Sequence, residues 1–197
     1  EYRVNPIGTD VATPRFSWWM TDPTTGAHQT AYEIRVAETI ADLPKRKRNI
    51  WSTGKVVSRQ SNQVEYKGPV LSSGQRRYWQ VRIWNQDGDV SAWSTPAYWE
   101  TGLLNTTDWQ AKWITLADEP SSDTSLPAHY FRKEFAAEKK IRSARLYVSS
   151  LGIYEMYLNG QKVGHQLFTP GYTSYHKRLQ YQAYNVTKLL GRSNTLA

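Results

Sequence analysis

Cysteine is absent from the 197 residues of this chain. Its absence excludes disulfide bonds, zinc sites built on thiolates and cysteine nucleophiles. It does not choose between the cytoplasm and an oxidising compartment, and we favour a periplasmic or secreted location over a cytoplasmic one. Long apolar runs are absent too, since no stretch approaches the roughly 20 residues that cross a bilayer. We therefore expect no membrane partner.

Helical patterns and catalytic motifs are equally scarce. No amphipathic stripe is long enough to bury a helix face, and only segments 38–43, 106–109 and 187–190 suggest single helical turns. None of the four histidines has the i, i+4 spacing of a metal site, and no Ser-His-Asp arrangement emerges. Ordinary solvated roles account for the acidic residues Asp87, Asp89, Asp118, Glu119, Asp123 and Glu155. We predict no catalytic residue and no metal ligand in this chain.

Positive charge is prominent in what the chain does contain. The net charge is +8, and residues 45–48, with the sequence KRKR, are its densest run. The other basic residues are spread along predicted strands such as 76–82 and 139–145, where they alternate with apolar positions. This spacing indicates solvated faces rather than one groove that follows phosphates. We expect residues 45–48 to form a solvated loop, and we expect no nucleic-acid partner.

Alternation of side chains predicts the fold class. It recurs along the chain, in Phe16 and Trp18, in Tyr32, Ile34 and Val36, in Trp79, Val81 and Ile83, and in Tyr98 and Glu100. Proline and glycine clusters separate these short runs. The pattern predicts an all-β protein with two β-sandwich domains in tandem. Its many tryptophans are expected mainly to pack, with Trp79 in the core and Trp84 on the opposite strand face.

A β-hairpin is the sharpest local prediction. Tyr154, Met156 and Leu158 share one face of a strand that has a single buried side. Asn159-Gly160 follows, and this pair suits a type I′ turn with positive φ at both central residues. The chain is then expected to return antiparallel.

Length and composition predict two domains. We expect a first sandwich at residues 1–103, a linker at 104–128 and a second sandwich at 129–197 that is incomplete at its end. The linker contains turn formers, two tryptophans and a polar stretch bracketed by prolines. Strands of the second sandwich are expected around Phe131 and Phe135, around Leu146 and Val148, around Leu179, Tyr181 and Ala183, and in the final SNTLA.

The first domain resembles a fibronectin type III module over residues 12–103. The matching positions are Leu71, Gly74, Trp79, Val81, Ile83, Asn85 and Gly88, followed by Ser91, Trp93 and Ser94. The corner tyrosine of that fold would fall on Arg77, with Tyr78 beside it, so the hydrogen bond of a tyrosine corner is not expected. The resemblance implies an immunoglobulin- or fibronectin III-like sandwich.

A wider resemblance rests on six segments in fixed order. They are NPIGTDVATPRFSW, TAYEIRVA, RRYWQVRIWNQDGDVSAWS, WETGLL, FRKEF and YLNGQKVGHQLFTPGYTSYHKRLQYQAYNVTKLL. Together they resemble the amino-terminal region of bacterial α-L-rhamnosidases of glycoside hydrolase family seventy-eight. The likeness extends over essentially the whole chain.

This resemblance implies a modular hydrolase that removes terminal L-rhamnose from glycans or glycosides. In such enzymes the fibronectin-like domain precedes a jelly-roll, galactose-binding-like sandwich regarded as a substrate-recognition module. An (α/α)6 barrel further along inverts the anomeric centre with carboxylates. A chain without long helices cannot supply that barrel, so we expect a non-catalytic accessory region that aids substrate recognition or braces the catalytic module. The expected partners are a rhamnose-containing glycan and the downstream barrel of the same polypeptide.

The same resemblance implies a carbohydrate site in the segment PGYTSYHKR. Related sandwiches bind sugars with aromatic and polar side chains on loops, and here the candidates are Tyr172, Tyr175, His176 and Arg178. Some such sites include calcium, but many relatives have an aspartate where this chain has Ser174. Because calcium favours several carboxylates, we expect no cofactor and keep calcium as the alternative. The structural alternative is that the two tyrosines pack on the hairpin.

Two other functions stay open from the sequence. The chain also suits an adhesion or protein-interaction module whose fibronectin-like half binds a partner. Alternatively, it suits the accessory domains of a β-galactosidase-like hydrolase, which shares the hairpin and the NVTKLL turn.

Overall fold

The computed structural model describes residues 3–116 and 127–197, and the chain divides into two compact units. Unit 1 is Glu1–Trp109 and unit 2 is Gln110–Ala197. Both are built from short, mainly antiparallel strands, which confirms the all-β fold class. The domain limits at 103 and 129 stay a prediction, and the predicted loop acids Asp118, Glu119 and Asp123 lie outside the described residues. No described helix is long and apolar enough to cross a membrane.

Unit 1 contains two sheets. Its strands are β1 (Arg15–Phe16), β2 (Ala31–Ala37), β3 (Trp51–Ser52), β4 (Val56–Val57), β5 (Val64–Glu65), β6 (Arg76–Trp84) and β7 (Ala97–Glu100). One sheet pairs β1 with β5, and the other has the order β3-β2-β6-β7, with β4 also pairing with β2. Single 3-10 turns occupy Ile40–Asp42, Arg46–Arg48 and Thr106–Asp108.

Strands β2 and β6 supply the centre of the unit 1 core. Ile34 pairs with Val81 and Val36 pairs with Trp79, so the predicted inward positions of the two strands share one face. Ile34 and Val36 are fully buried, and Trp79 packs against the same cluster. The predicted alternation of these strands is therefore confirmed. Each fully buried aliphatic side chain contributes roughly 1.5–3 kcal/mol to stability.

The outer faces of β2 and β6 carry guanidinium groups that stack on aromatic rings. The Trp93 ring lies between two of them, with its centroid 3.9 Å from Arg35 Cζ and 4.7 Å from Arg82 Cζ. Arg82 also pairs with Glu33 at 2.6 Å and lies over the Trp84 ring. These basic side chains are therefore half-buried rather than fully solvated, because cation–π contacts and ion pairs hold them against the sheet. The run at 45–48, in contrast, is exposed as expected.

Gln29 links three segments in the interior of unit 1. Its side chain is 2% exposed, and its Oε1 accepts a hydrogen bond of 2.9 Å from Trp18 Nε1. Its Nε2 donates to the backbone oxygens of Ser58 and Gln60 at 3.0 and 2.9 Å. One buried amide therefore satisfies polar groups that no strand ladder reaches.

Arg77, which the resemblance aligns with the corner tyrosine, is largely buried in this structure. Its side chain is 16% exposed, pairs with Glu38 at 3.3 Å and donates to the Arg76 backbone oxygen. The neighbouring Tyr78 contacts Tyr98 instead. Tyr66, which is buried in the core, has a hydroxyl without a hydrogen-bond partner among the described residues. The Arg77 guanidinium is thus paired with a carboxylate, whereas the Tyr66 hydroxyl has no partner in the described part of the chain.

Gln29→Leu should destabilise unit 1 by about 3 kcal/mol, because it leaves the Trp18 indole N–H and two backbone oxygens unpaired. Tyr66→Phe is the contrasting variant and should change the free energy of unfolding by less than about 0.5 kcal/mol, since its hydroxyl has no partner to lose. Urea unfolding of the two variants measures both values. Equal destabilisation by the two variants would contradict the hydrogen-bond assignment.

Unit 2 is a smaller pair of sheets. Its strands are β8 (Lys133–Ala136), β9 (Arg145–Val148), β10 (Tyr157–Leu158), β11 (Gln161–Lys162), β12 (Gln182–Asn185) and β13 (Ser193–Leu196). One sheet has the order β11-β10-β13-β8 and the other pairs β12 with β9. The core contains Val148, Leu158, Val163, Tyr184 and Val186.

The predicted hairpin is present and is fastened to the rest of unit 2 through its turn. Asn159 and Gly160 have φ of 53° and 77°, as a type I′ turn requires. Asn159 Nδ2 donates to the Leu189 backbone oxygen at 2.8 Å and to Asn194 Oδ1 at 3.0 Å. Its Oδ1 accepts from the Thr195 backbone N–H at 2.8 Å. The turn is therefore bonded to β13 and to the turn that precedes β13.

Two local predictions differ from the structure. The strand expected around Leu179, Tyr181 and Ala183 begins only at Gln182, its buried member is Tyr184, and Tyr181 contacts Tyr147. Residues 187–189 form a hydrogen-bonded turn rather than a helical turn. Asn185 caps this turn, since its Oδ1 accepts from the Thr187 backbone N–H at 3.3 Å and from Thr187 Oγ1 at 2.7 Å.

Candidate functional site

The predicted sugar site is a loop that follows a tight turn in unit 2. The peptide between Thr169 and Pro170 is cis, and Gly171 has a φ of 102°. Glycine suits this position because residues with a Cβ seldom adopt such a positive φ, whereas the nearest atom, Gln180 Oε1, ends a flexible side chain that could move aside. The chain then runs through residues 172–181 without regular strand structure. Loops of this kind commonly carry binding residues on a rigid scaffold.

Hydrogen bonds within the loop fix its shape. The backbone oxygen of Ser174 accepts from the N–H groups of Lys177 and Arg178 at 2.8 and 2.9 Å. Thr173 Oγ1 donates to the Arg178 backbone oxygen at 2.5 Å. The loop backbone is thus closed on itself around residues 173–178.

The two tyrosines of the site have different environments. Their ring centroids are 5.8 Å apart, with an angle of 60° between the planes. Tyr175 is half-buried and its hydroxyl accepts a 2.9 Å hydrogen bond from the Gly152 N–H. Tyr172 is 92% exposed. The packing interpretation therefore suits Tyr175, whereas Tyr172 presents a free ring to solvent.

His176 and Arg178 are attached to the same loop. His176 Nε2 lies 3.2 Å from Ser174 Oγ, and the side chains of His176 and Arg178 are both exposed. The structure therefore brings Tyr172 and Tyr175 into direct contact and connects the two basic residues to them through the loop backbone. Ring faces beside charged donors are the usual means of holding a sugar.

The loop does not fit a calcium ion. Residues 164–180 contain no aspartate or glutamate, and the Ser174 hydroxyl bonds to His176. A hard cation needs several oxygen ligands, which this segment does not assemble. Within the described ranges, no group of three histidine, aspartate or glutamate side chains could hold a metal ion.

Several acidic residues in the described part have structural partners. Glu155 is exposed just before β10 and pairs with Lys162, which lowers the pKa of its carboxyl. Glu100 pairs with Arg76 at 2.9 Å. Hydrogen bonds from Ser73 and Asn105 lower the pKa of Asp108 at the 3-10 turn. The lowered pKa values keep the carboxylates of Glu155 and Asp108 ionised, which suits pairing and capping rather than proton donation.

An apolar surface beside this loop was not predicted from the sequence. Leu151, Ile153, Leu167 and Phe168 are 63%, 69%, 72% and 74% exposed. The only sequence signal is the position of these residues beside Gly152 and before the proline turn, which is typical of loops. We call these four side chains the loop patch.

A pair of tyrosines, Tyr154 and Tyr184, connects the unit 2 core to the proline turn at Thr169. The hydroxyls of Tyr154 and Tyr184 are 3.0 Å apart, and both tyrosines pack in the unit 2 core. Burial and this hydrogen bond raise the pKa of Tyr154 well above its ordinary value of 10.0. The backbone of Tyr154 bonds in turn to Thr169, which begins the proline turn.

Unit 2 should lose stability as pH rises above about 10. Folded Tyr154 keeps its proton there, whereas the unfolded chain releases it, so the unfolded state binds fewer protons and gains stability. Tyr154→Phe should make the decline of Tm between about pH 9.5 and 11 shallower. Tyr130→Phe, at a tyrosine that is 94% exposed, is the control and should leave the slope unchanged. Identical slopes in all three proteins would show that Tyr154 does not carry this dependence.

Family models match both units. The model of the Rha78A-like, N-terminal immunoglobulin domain matches residues 1–105. The model of the alpha-L-rhamnosidase N-terminal domain matches residues 139–197. The chain belongs to the α-L-rhamnosidase family. The first match covers more than half of the chain, and it agrees with the immunoglobulin- or fibronectin-like sandwich expected for unit 1.

Curated relatives of the family match nearly the whole chain. An α-L-rhamnosidase of Alteromonas sp. (strain LOR) is 37% identical over 201 residues, which cover 98% of this chain and 22% of the relative. One from Formosa agariphila is 34% identical and covers 94% of this chain and 22% of its own length. The chain thus spans about a fifth of these relatives and corresponds to their amino-terminal accessory region.

Solved α-L-rhamnosidases have the same fold in this region. The enzyme from Dictyoglumus thermophilum is 35% identical with a TM-score of 0.87, over 98% of this chain and 23% of that one. The Aspergillus terreus enzyme is 32% identical with a TM-score of 0.81, over 98% and 22%. The Streptomyces avermitilis enzyme, complexed with L-rhamnose, is 30% identical with a TM-score of 0.55, over 99% and 20%. The family resemblance seen in the sequence is confirmed.

Proposed function

We propose that this chain is the accessory region of a glycoside hydrolase that removes terminal L-rhamnose from glycans or glycosides. The observation that carries the proposal is the match of both units to α-L-rhamnosidase domains. The chain covers 22% of the length of each of the two curated relatives. These matches favour the rhamnosidase over the adhesion and β-galactosidase-like alternatives. Bond cleavage is assigned to a separate catalytic module of the same polypeptide.

Unit 2 contributes a sugar-binding loop in this proposal. The exposed ring of Tyr172 offers a face on which the apolar side of a rhamnose ring stacks. Tyr175 holds the loop against Gly152, and His176 and Arg178 supply hydrogen-bond donors. A loop that is already closed by its own hydrogen bonds loses little conformational freedom when sugar binds. The role of the loop is to hold the glycan, not to break it.

Calorimetric titration of L-rhamnose into the chain tests the sugar site. Tyr172→Ala should weaken binding roughly five- to tenfold, since one ring contact contributes about 1 kcal/mol. Tyr130→Ala removes an equally exposed tyrosine of unit 2 outside the loop and should leave the affinity unchanged. The absence of binding heat at millimolar rhamnose, or an equal loss of affinity in the two variants, would contradict the sugar site. Unit 2 would then act only as a spacer.

The chain by itself should release no rhamnose from an aryl rhamnoside, whereas the full-length polypeptide that carries it should do so. Chromogenic product from each protein at equal concentration is the measurement. Hydrolysis by the 197-residue chain alone would contradict its accessory role. Inactivity of the full-length polypeptide would contradict the assignment to rhamnose release.

A further inference from the structure

Unit 1 has a cleft of about 570 Å³ at one edge of its sandwich. The cleft lies between β5, which belongs to the smaller sheet, and strands β3 and β4, which belong to the larger one. Its volume falls within the roughly 300–1,000 Å³ that is typical of small-molecule sites. Its lining includes aromatic rings, amides and charged groups, which are supplied by Tyr32, Trp51, Gln60, Gln63, Glu65 and Lys67. We call this feature the unit 1 cleft.

The lining suits a neutral ligand that carries many hydroxyl groups. The carboxamides of Gln60 and Gln63 both donate and accept hydrogen bonds, as sugar hydroxyls require. Glu65 and Lys67 have opposite charges, so the lining has no net charge. A phosphate or an acidic polymer would need an excess of basic groups there. Trp51 adds an aromatic ring of the kind on which the apolar side of a sugar packs.

Tyr32 lines the cleft with a hydroxyl that bonds to no other described residue. Its side chain is only 6% exposed, and its ring packs against Trp18 with the centroids 5.1 Å apart. A tyrosine buried to this extent normally has a hydrogen-bond partner. Unlike the Tyr66 hydroxyl, the Tyr32 hydroxyl is not enclosed by the core. A ligand in the unit 1 cleft can therefore bond to it.

The segment 58–63 forms one wall of the cleft, and hydrogen bonds to the interior hold it in place. The buried amide of Gln29 donates to the backbone oxygens of Ser58 and Gln60. The Gln63 N–H donates to Ser17 Oγ at 3.1 Å. Gln63 also has a φ of 51°, a left-handed conformation that residues with a Cβ seldom adopt and that is frequent at ligand-binding sites. A wall that is already ordered loses little conformational freedom on binding.

We propose that the unit 1 cleft is a second carbohydrate site, which holds neutral sugar residues of a glycan. In this site Trp51 supplies a ring for packing, and the Tyr32 hydroxyl and the two glutamine amides supply hydrogen bonds. The choice of a sugar among neutral ligands with many hydroxyl groups rests on the proposed function of the chain. The inference goes further, because it places a site in unit 1 that does not depend on the rhamnose loop of unit 2.

NMR titration of the isotope-labelled 197-residue chain tests the cleft, since unit 1 has a core of its own. The probes are cellotriose, mannotriose, xylotriose and rutinose, each added to about 10 mM so that a millimolar Kd is detected. At least one probe should shift the signals of the Trp51 indole N–H and of the Gln60 and Gln63 side-chain amides along a saturable curve.

Tyr32→Phe should weaken binding of that probe roughly fivefold, because it removes one hydrogen-bonding hydroxyl and keeps the buried ring. Tyr66→Phe is the matched control, since it removes a hydroxyl of the same core outside the cleft lining, and it should leave the affinity unchanged. Gln60→Ala, at an exposed side chain, should weaken binding roughly threefold, and the exposed Gln161 of unit 2 provides its control as Gln161→Ala. Circular dichroism confirms that each variant is folded.

Three results would overturn the second site. The first is that no probe shifts the cleft signals, and the second is that Tyr32→Phe and Tyr66→Phe lower the affinity equally. The third is slower acetylation of Lys67 by acetic anhydride in the full-length polypeptide than in the chain alone, with exposed Lys47 unchanged, which would give the cleft to another segment. Rhamnose release by the full-length polypeptide tests the proposed function separately, because that activity does not require the cleft.

Discussion

Short strands impose the main physical constraint on this protein. Many strands have only two to four residues, so backbone ladders alone leave many interior polar groups without partners. Buried side-chain amides meet this need by bonding to backbone atoms of distant segments. Gln29 does so in unit 1, and Asn194, which is 3% exposed, does so in unit 2. The rest of each sandwich depends on these few polar contacts as well as on its apolar core.

The same constraint separates scaffold from binding loops in unit 2. Asn159 and Asn194 hold the hairpin, strand β13 and the preceding turn together. The Tyr154 and Tyr184 pair connects the core to the proline turn. Side chains such as Tyr172 are therefore not needed for packing the core and are exposed to solvent. An accessory module of a glycosidase requires this division between rigid framework and available surface.

Local patterns predicted the elements that depend on neighbouring residues in the sequence. Asn159-Gly160 fixed the hairpin turn because φ preferences are intrinsic to those residues, and β2 and β6 followed because a two-residue period defines a face. The position of β12 was not predicted correctly, because Tyr181 and Tyr184 belong to opposite alternations and the pairing with β9 begins only at Gln182. Exposure of Phe131 and Phe135, at 39% and 38%, was equally beyond a local pattern. Whether a side chain is buried depends on the segments that pack over it. For the same reason the sequence did not predict the exposed loop patch, although it did predict the neighbouring Tyr172 as a site residue.

The fastened hairpin turn has a chemical consequence. An asparagine followed by glycine is normally prone to deamidation, because the glycine nitrogen can attack the side-chain carbonyl and close a succinimide ring. Here the Asn159 carboxamide is held at both its nitrogen and its oxygen by Leu189, Asn194 and Thr195. The carbonyl carbon is thereby kept from rotating toward that nitrogen. The hairpin turn of unit 2 should therefore deamidate slowly, although Asn-Gly is among the dipeptides most prone to deamidation.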